Sequence, residues 1–290
     1  MLVTRRQGGL CLITHPEHGR VAGELCRRWG NEQFEAPAHH AALIAAAIHH
    51  DDGWYELDGR PSFNAAASRP AHFLELPLEV TVGPYGRGVD SVYARDRHAG
   101  ALVSMHWAGL YHTRFGLHGG EPVSHPLAVE VVAEQDHRRA AALRDAWGGH
   151  GRRSEFEHQT WYAYELLQAL DLISLALGLV DTGQPMTGGD SVSIFSTLAR
   201  IDQPPGMRSI PVVPVAPGGP YLTLRLRVRE PGEVVVDPYP FSETGFEIEL
   251  SARLLEDRRY DSAEEAASAY HRAEPQTIAR MRPPRAFRQR

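Results

Sequence analysis

The chain has 290 residues, 42% of them hydrophobic, and a formal charge of −6. That is enough apolar material for a full core in one large domain, with or without an appendage. The charge has the wrong sign for a protein that lives along nucleic-acid backbones, where clustered positive charge supplies most of the affinity. All 30 basic residues are arginine, which excludes chemistry built on a Schiff-base lysine, a P-loop lysine or a kinase strand lysine. Cys11 and Cys26 fit neither a disulfide framework nor a thiolate zinc site. No stretch reads as a secretion signal or a membrane span, so a reducing cytoplasm is the expected compartment.

In the first two-thirds of the chain, apolar residues recur at three and four positions, the period of helices. The first helix is expected from about Glu17 to Trp29, with His18, Ala22, Leu25 and Trp29 on one face. The second opens at Pro37, runs through HHAALIAAAIHH and stops at Asp52-Gly53. From Trp54 to about Asp96, proline, glycine and aromatics dominate (GRPSFNAAASRPAHF, VGPYGRG), and the expectation is a long loop with at most a short helix. Helices follow at about Arg97–Phe115, Pro126–Trp147 and Ser154–Leu179, the last being the most apolar and a candidate central helix. After Gly183 the period changes to two. YLTLRLRVRE, GEVVVD and GFEIELSARLL read as an antiparallel sheet at about residues 190–255. SAEEAASAY, with Ser262 and Glu265 at capping-box spacing, reads as a short helix, and the basic end ARMRPPRAFRQR as irregular.

Candidate chemistry gathers at four positions. His50-Asp51, at the end of an apolar helix, offers one nitrogen and one oxygen ligand to a divalent metal. Adjacent helical side chains diverge by about 100°, so other helices must complete the site. His18 and Asp171 are polar residues set into apolar helix faces. Asp171, inside LLQALDLISL, is the sharper anomaly, because an unpartnered buried carboxylate is very costly. A metal ion or a buried arginine would offset that cost, with the arginine the weaker alternative. His15 competes with His18 for the ligand role.

The order His, then His-Asp, then Asp on successive helices resembles the HD-domain superfamily. EHGRVAGEL is similar to its first ligand helix, AAAIHHDDGW to its His-Asp pair, and LLQALDLISLALG to its final aspartate helix. More narrowly, ITHPEHGRVAGEL, HDDGW, LVSMHWAGLY and DPYPF resemble an uncharacterised bacterial family near the HD proteins. The resemblance implies a mainly α fold. An HD-type helical core would occupy residues 1–183, and a C-terminal antiparallel β-sheet extension with a terminal helix residues 184–290, packed as one unit. It implies a phosphoester or nucleotide hydrolase in which one or two divalent ions (Mn, Fe, Zn, Co or Ni) activate water. The alternatives are an HD-type di-iron oxygenase and a non-catalytic nucleotide sensor.

On that reading the metal ligands are His18, His50, Asp51 and Asp171, with His106 as a second-metal ligand, a phosphate contact or a core residue. Asp52 is a candidate general base or a partner to a ligand histidine. Arg138, Arg139 and Trp54 are candidates for substrate binding, the arginines through forked donors. Against each stands a plainer role: Asp52 and Asp58 in turns, the arginine pair on a solvated helix face, Trp54 in packing. The expected partner is a small phosphorylated molecule or nucleotide, with neither membrane nor extended nucleic acid, and the chain is a possible homo-oligomer.

Overall fold

Thr14 opens the first helix by accepting the Glu17 amide on its side chain, and Pro16 sits in the first turn, where its missing N–H costs nothing. The computed structural model describes residues 1–6, 9–117, 119–179, 207–230, 232–244 and 246–282. Helix α1 (His15–Arg27) turns His15, His18, Val21, Ala22, Leu25 and Cys26 inward. Helix α2 (His40–His49) is Ala-rich and lies against it. The two backbones touch: a Cβ on Gly19 would lie 2.6 Å from the Ile48 carbonyl oxygen. This close approach sets His18 opposite the residues that follow α2.

A 3-10 turn (Asp52–Trp54) and α3 (Tyr55–Gly59) come next, then a two-strand ribbon of β3 (Phe63–Asn64) and β4 (Arg69–Pro70). Helices α4 (Leu78–Arg95), α5 (Arg97–Tyr111), α6 (Pro126–Trp147) and α7 (Arg153–Leu179) complete the helical layer, with α8 (Ala263–Arg272) apart from it. Helix α7 buries Tyr162, Leu166, Leu170, Ile173 and Leu177 and packs on α1, α2 and α5 as well as on the sheet. Being apolar nearly all round, it is a core helix. No helix among the described residues is long and apolar enough to cross a membrane.

The expected fold class is overturned. About half of the molecule is helical, and beside the helices lies a large curled mixed sheet of seven strands rather than a small antiparallel extension. Its order is β1 (Leu2–Arg6), β2 (Gly9–Ile13), β8 (Ile248–Leu255), β9 (Pro275–Met281), β7 (Glu233–Asp237), β6 (Tyr221–Glu230), β5 (Met207–Pro214). Neighbours are antiparallel except β7 and β9, which are parallel. Two strands therefore come from the N-terminal end. GLCLI is buried along its whole length, so it has no polar alternation and reads in sequence only as a short apolar stretch. The sheet holds α1 directly, since the Glu17 carboxylate accepts the Ser251 amide of β8 at 2.9 Å.

The stretch expected as a loop contains α4, with Pro84 inside it. Tyr85, Val89 and Val92 are buried on its inner face, and this packing against α5 outweighs the local cost of proline and glycine. Residues 190–206 of the expected sheet, the boundary at 183/184 and residues 283–290 lie outside the described residues. The part of the basic end that is described, up to Arg282, supplies β9.

Candidate metal centre

His18, His50, Asp51 and Asp171 meet at the junction of α1, the exit of α2 and the middle of α7, all of them buried. The ligand atoms of His18, His50 and Asp51 lie within 4.8 Å of one another, a grouping able to hold a metal ion. Asp51 Oδ2 is 2.9 Å from His18 Nε2 and 3.6 Å from His50 Nε2. Asp171 Oδ1 is 3.6 Å from the same His50 nitrogen and 3.8 Å from His18 Nδ1.

The other nitrogens of the two histidines decide how they present themselves. His50 Nδ1 donates to the Ala47 carbonyl at 2.9 Å. Ser174 Oγ donates to the Asp171 carbonyl at 2.8 Å, so it accepts from His18 Nδ1 at 3.1 Å. Both Nδ1 atoms thus carry their hydrogens outward into the protein, and in the neutral rings both Nε2 lone pairs face carboxylate oxygen. A lone pair facing a carboxylate needs a cation or a proton between them. Among the described residues, His50 Nε2 and Asp51 Oδ1 are in addition buried without a hydrogen-bond partner, an arrangement that costs about 1–3 kcal/mol per group if nothing else satisfies it.

The donor set fits a divalent ion. Ligand atoms bound at about 2.1 Å to one ion and roughly 90–110° apart lie about 3.0–3.4 Å from each other. Asp51 approaches the two Nε2 atoms at 2.9 and 3.6 Å, while Asp171, outside the grouping of His18, His50 and Asp51, approaches His50 Nε2 at 3.6 Å. Burial opposes charge on His50, yet Asp51 and Asp171 outweigh it and push the ring up to about 9. Burial works against both carboxylates too, but the imidazoles, with Arg114 for Asp171, hold Asp51 and Asp171 well below the usual carboxylate range. The field of the pocket is that of two anions seeking positive charge, and a proton and a bound metal would compete for the same His50 lone pair.

Asp171 has a second partner. Arg114 Nη2 donates to its Oδ2 at 3.2 Å, and Arg114 Nη1 donates to Gln168 Oε1 at 2.5 Å. The buried arginine given less weight from sequence is therefore present, on one carboxylate oxygen, while the other oxygen faces the histidines. Arg114 comes from a tight turn after α5 and has φ of 49°, a left-handed conformation that no periodicity reveals. Since Gln168 spends its oxygen on Arg114, its amide nitrogen donates to His106 Nδ1 at 3.2 Å. His106, 4.9 Å from His50 ring to ring, is held down to about 3 by burial and by the charge of His50. It is a neutral ring whose Nδ1 lone pair is taken and whose Nε2 carries the hydrogen. That suits a hydrogen-bond donor better than a second-metal ligand.

The remaining candidates fall elsewhere. His15 pairs with Asp58 at 3.0 Å and with the amino group of Met1 at 2.8 Å, so it does not compete with His18, and Asp58 is a buried charge rather than a turn residue. Asp52 is bound to His49 at 2.8 Å and to Arg95 at 3.1 Å, so both of its observed partners lie on the surface side of the turn rather than in the cluster. Arg138 pairs with Asp90 of α4 and lies over the Tyr93 ring, and Arg139 pairs with Asp136 and lies over the Phe115 ring, so both are part-buried packing arginines rather than a solvated face. Trp54 is fully buried and stacks on His15, centroids 4.3 Å apart.

Neither a curated protein nor a solved structure matches this chain. One family model does, over residues 1–257, and its description is "Protein of unknown function (DUF3891)". A match over that share of the chain places it: this protein is a member of the DUF3891 family.

Proposed function

We propose that the His18, His50, Asp51 and Asp171 cluster is a divalent-metal centre of the kind found in HD-type hydrolases, and that the protein hydrolyses a small phosphoester there. The observation that carries this reading is the pair of Nε2 lone pairs, each anchored from behind through Nδ1, converging on Asp51. Histidines oriented by a hydrogen bond on the far nitrogen are the usual arrangement around a bound metal. A bound divalent ion would supply Lewis-acid activation of water near neutral pH.

The residues around the ion have separable tasks. Ser174 and the Ala47 carbonyl fix the two imidazoles, and Arg114 holds one oxygen of Asp171 so that the other faces inward. His106, presenting a hydrogen, is placed to donate to a phosphoryl oxygen, and this argues for phosphoester chemistry over a di-iron centre that would need its lone pair. Beside the turn that follows Asp51 lies a cleft of about 390 Å³ bordered by Pro16, Asp52, Tyr55 and Arg87, a size within reach of a small substrate.

The test is elemental analysis of protein purified without chelator or affinity metal, for wild type, His50→Ala and Asp171→Ala. One or two divalent ions in wild type, lost from both variants while circular dichroism stays native, support the centre. The metal found then sets the conditions for a phosphoester screen. Wild type that is metal-free and takes up no manganese, iron or zinc overturns it.

A further inference from the structure

Next to the turn that follows Asp51 lies a second cavity of about 110 Å³, lined chiefly by Trp54, Leu76, Leu78, Tyr85, Tyr111 and Val123. Its inner wall is built from chain neighbours of the cluster. The Trp54 amide donates to the Asp51 carbonyl at 3.0 Å, so Trp54 belongs to the same turn as the His-Asp pair. Tyr85 sets its ring edge-on to Trp54, centroids 5.2 Å apart, and stacks on Trp107 at 5.9 Å, the residue after His106. Burial, followed by the charges of Asp51, Tyr111 and Asp171, pushes the Tyr85 phenol well above its usual value.

Several polar atoms of the cavity wall are spoken for, while Trp54 Nε1 is buried without a hydrogen-bond partner among the described residues. The Thr81 hydroxyl donates to the Leu78 carbonyl at 3.0 Å, and the Tyr111 hydroxyl accepts from Trp107 Nε1 at 3.3 Å. His125, at the border, accepts the Leu127 amide on Nδ1 at 3.3 Å. A ligand with many hydrogen-bonding edges, such as a nucleobase, would lose its water there without replacement. A compact hydrocarbon loses nothing, and since an apolar cavity of about 150 Å³ is known to admit a benzene ring, this smaller one of about 110 Å³ sets a single ring as its upper limit.

We propose that this cavity is the subsite for an apolar group of the substrate, a phenyl ring or a branched alkyl of similar bulk. The substrate class is then a phosphoester of a small hydrophobic alcohol or phenol rather than a nucleotide. This rests on the hydrolase reading for its phosphoryl half and on the cavity alone for its apolar half.

The experiment separates the halves. Chelator-treated wild type and Val123→Trp, which fills the cavity from its outer loop, are melted with and without toluene. The expected result is a rise of about 2–4 °C in wild type at ten times the Kd, absent in the variant. No rise in wild type overturns the subsite whatever the variant does, and an equal rise in both overturns its location. Metal-loaded protein is then assayed on phenyl phosphate and methyl phosphate. Because phenoxide leaves more readily than methoxide, the ratio is read between proteins: a phenyl-to-methyl kcat/KM ratio that falls about tenfold from wild type to Val123→Trp supports the substrate class, and a ratio unchanged by the variant overturns it. Toluene binding with no turnover of either ester removes the hydrolase reading and leaves the apolar subsite standing. Turnover of both esters without toluene binding does the reverse.

Discussion

Arg114 and Asp171 form a buried ion pair, Nη2 to Oδ2 at 3.2 Å, at the back of the proposed metal centre. The pair leaves Asp171 Oδ1 toward His50 and His18, so the same carboxylate answers to a fixed internal cation and to whatever cation the histidines hold. Removing the arginine should therefore act differently on the two forms of the protein. In Arg114→Gln the chelated form is expected to lose about 3–5 kcal/mol, the usual result of stranding one member of a buried pair. The metal-loaded form should lose less, because the ion neutralises the stranded carboxylate. Urea unfolding with and without saturating manganese measures both. Equal losses in the two forms would separate Asp171 from the metal.

The hydrogen-bond chain from Arg114 through Gln168 to His106 fixes which nitrogen of His106 is free to donate. His106→Ala is expected to keep the wild-type metal stoichiometry while lowering phosphoester kcat by about 10²-fold, the scale for one lost donor to transition-state charge. Metal analysis paired with steady-state kinetics checks this. Loss of a metal equivalent would restore His106 as a ligand.

Gly19 occupies the contact through which α1 reaches α2. In Gly19→Ala the new methyl group would sit 2.6 Å from the Ile48 carbonyl oxygen, and α1 must move, taking His18 away from Asp51. We expect a stability loss of about 1–3 kcal/mol together with about tenfold weaker manganese binding, read by thermal melting and by metal titration. A stability loss with unchanged metal affinity would mean that His18 tolerates the displacement and is not held to a tight geometry.

His18, His50, Asp51 and Asp171 were legible in the sequence because each is a polar residue against an apolar period, and burial makes such residues expensive unless they meet. Helices α6 and α7 were legible for the same periodic reason. Arg114 was not, because the left-handed run begins at Thr113, Arg114 and Phe115, residue types that seldom adopt it, and only its last member, Gly116, is a glycine. The sheet was misjudged because its assembly is non-local. β2 pairs with β8 more than two hundred residues away, and a short, wholly buried apolar strand shows no alternation to mark it. Helix α4 was hidden by Pro84 and its neighbouring glycines, whose local preference is overcome only by contacts that α5 supplies.

Asp58 gives the molecule a second buried charge cluster whose pH dependence has a definite sign. Its carboxylate accepts the His15 amide at 2.5 Å and pairs with the Met1 amino group at 2.8 Å and with His15 Nδ1 at 3.0 Å. Burial alone would raise its pKa, but His15 and the amino group outweigh that and hold it well below the usual carboxylate range. Above the unfolded value of about 3.9, Asp58 is ionised in both states and its contribution to stability is complete. As pH falls through that value the unfolded chain takes up a proton that the folded chain still refuses, and the contribution declines until the folded value is passed. Asp58→Asn should therefore be less stable than wild type at pH 7, by about 3–5 kcal/mol for a broken buried pair. The gap should hold from pH 7 to pH 5 and narrow below about pH 4. Urea midpoints at pH 7, 5 and 3 provide the check. Asp51 and Asp171, also held low, remain in both proteins and cancel in the difference. A gap of constant size down to pH 3 would mean that the carboxylate is protonated at the same pH folded and unfolded, and that the cluster is held by packing alone.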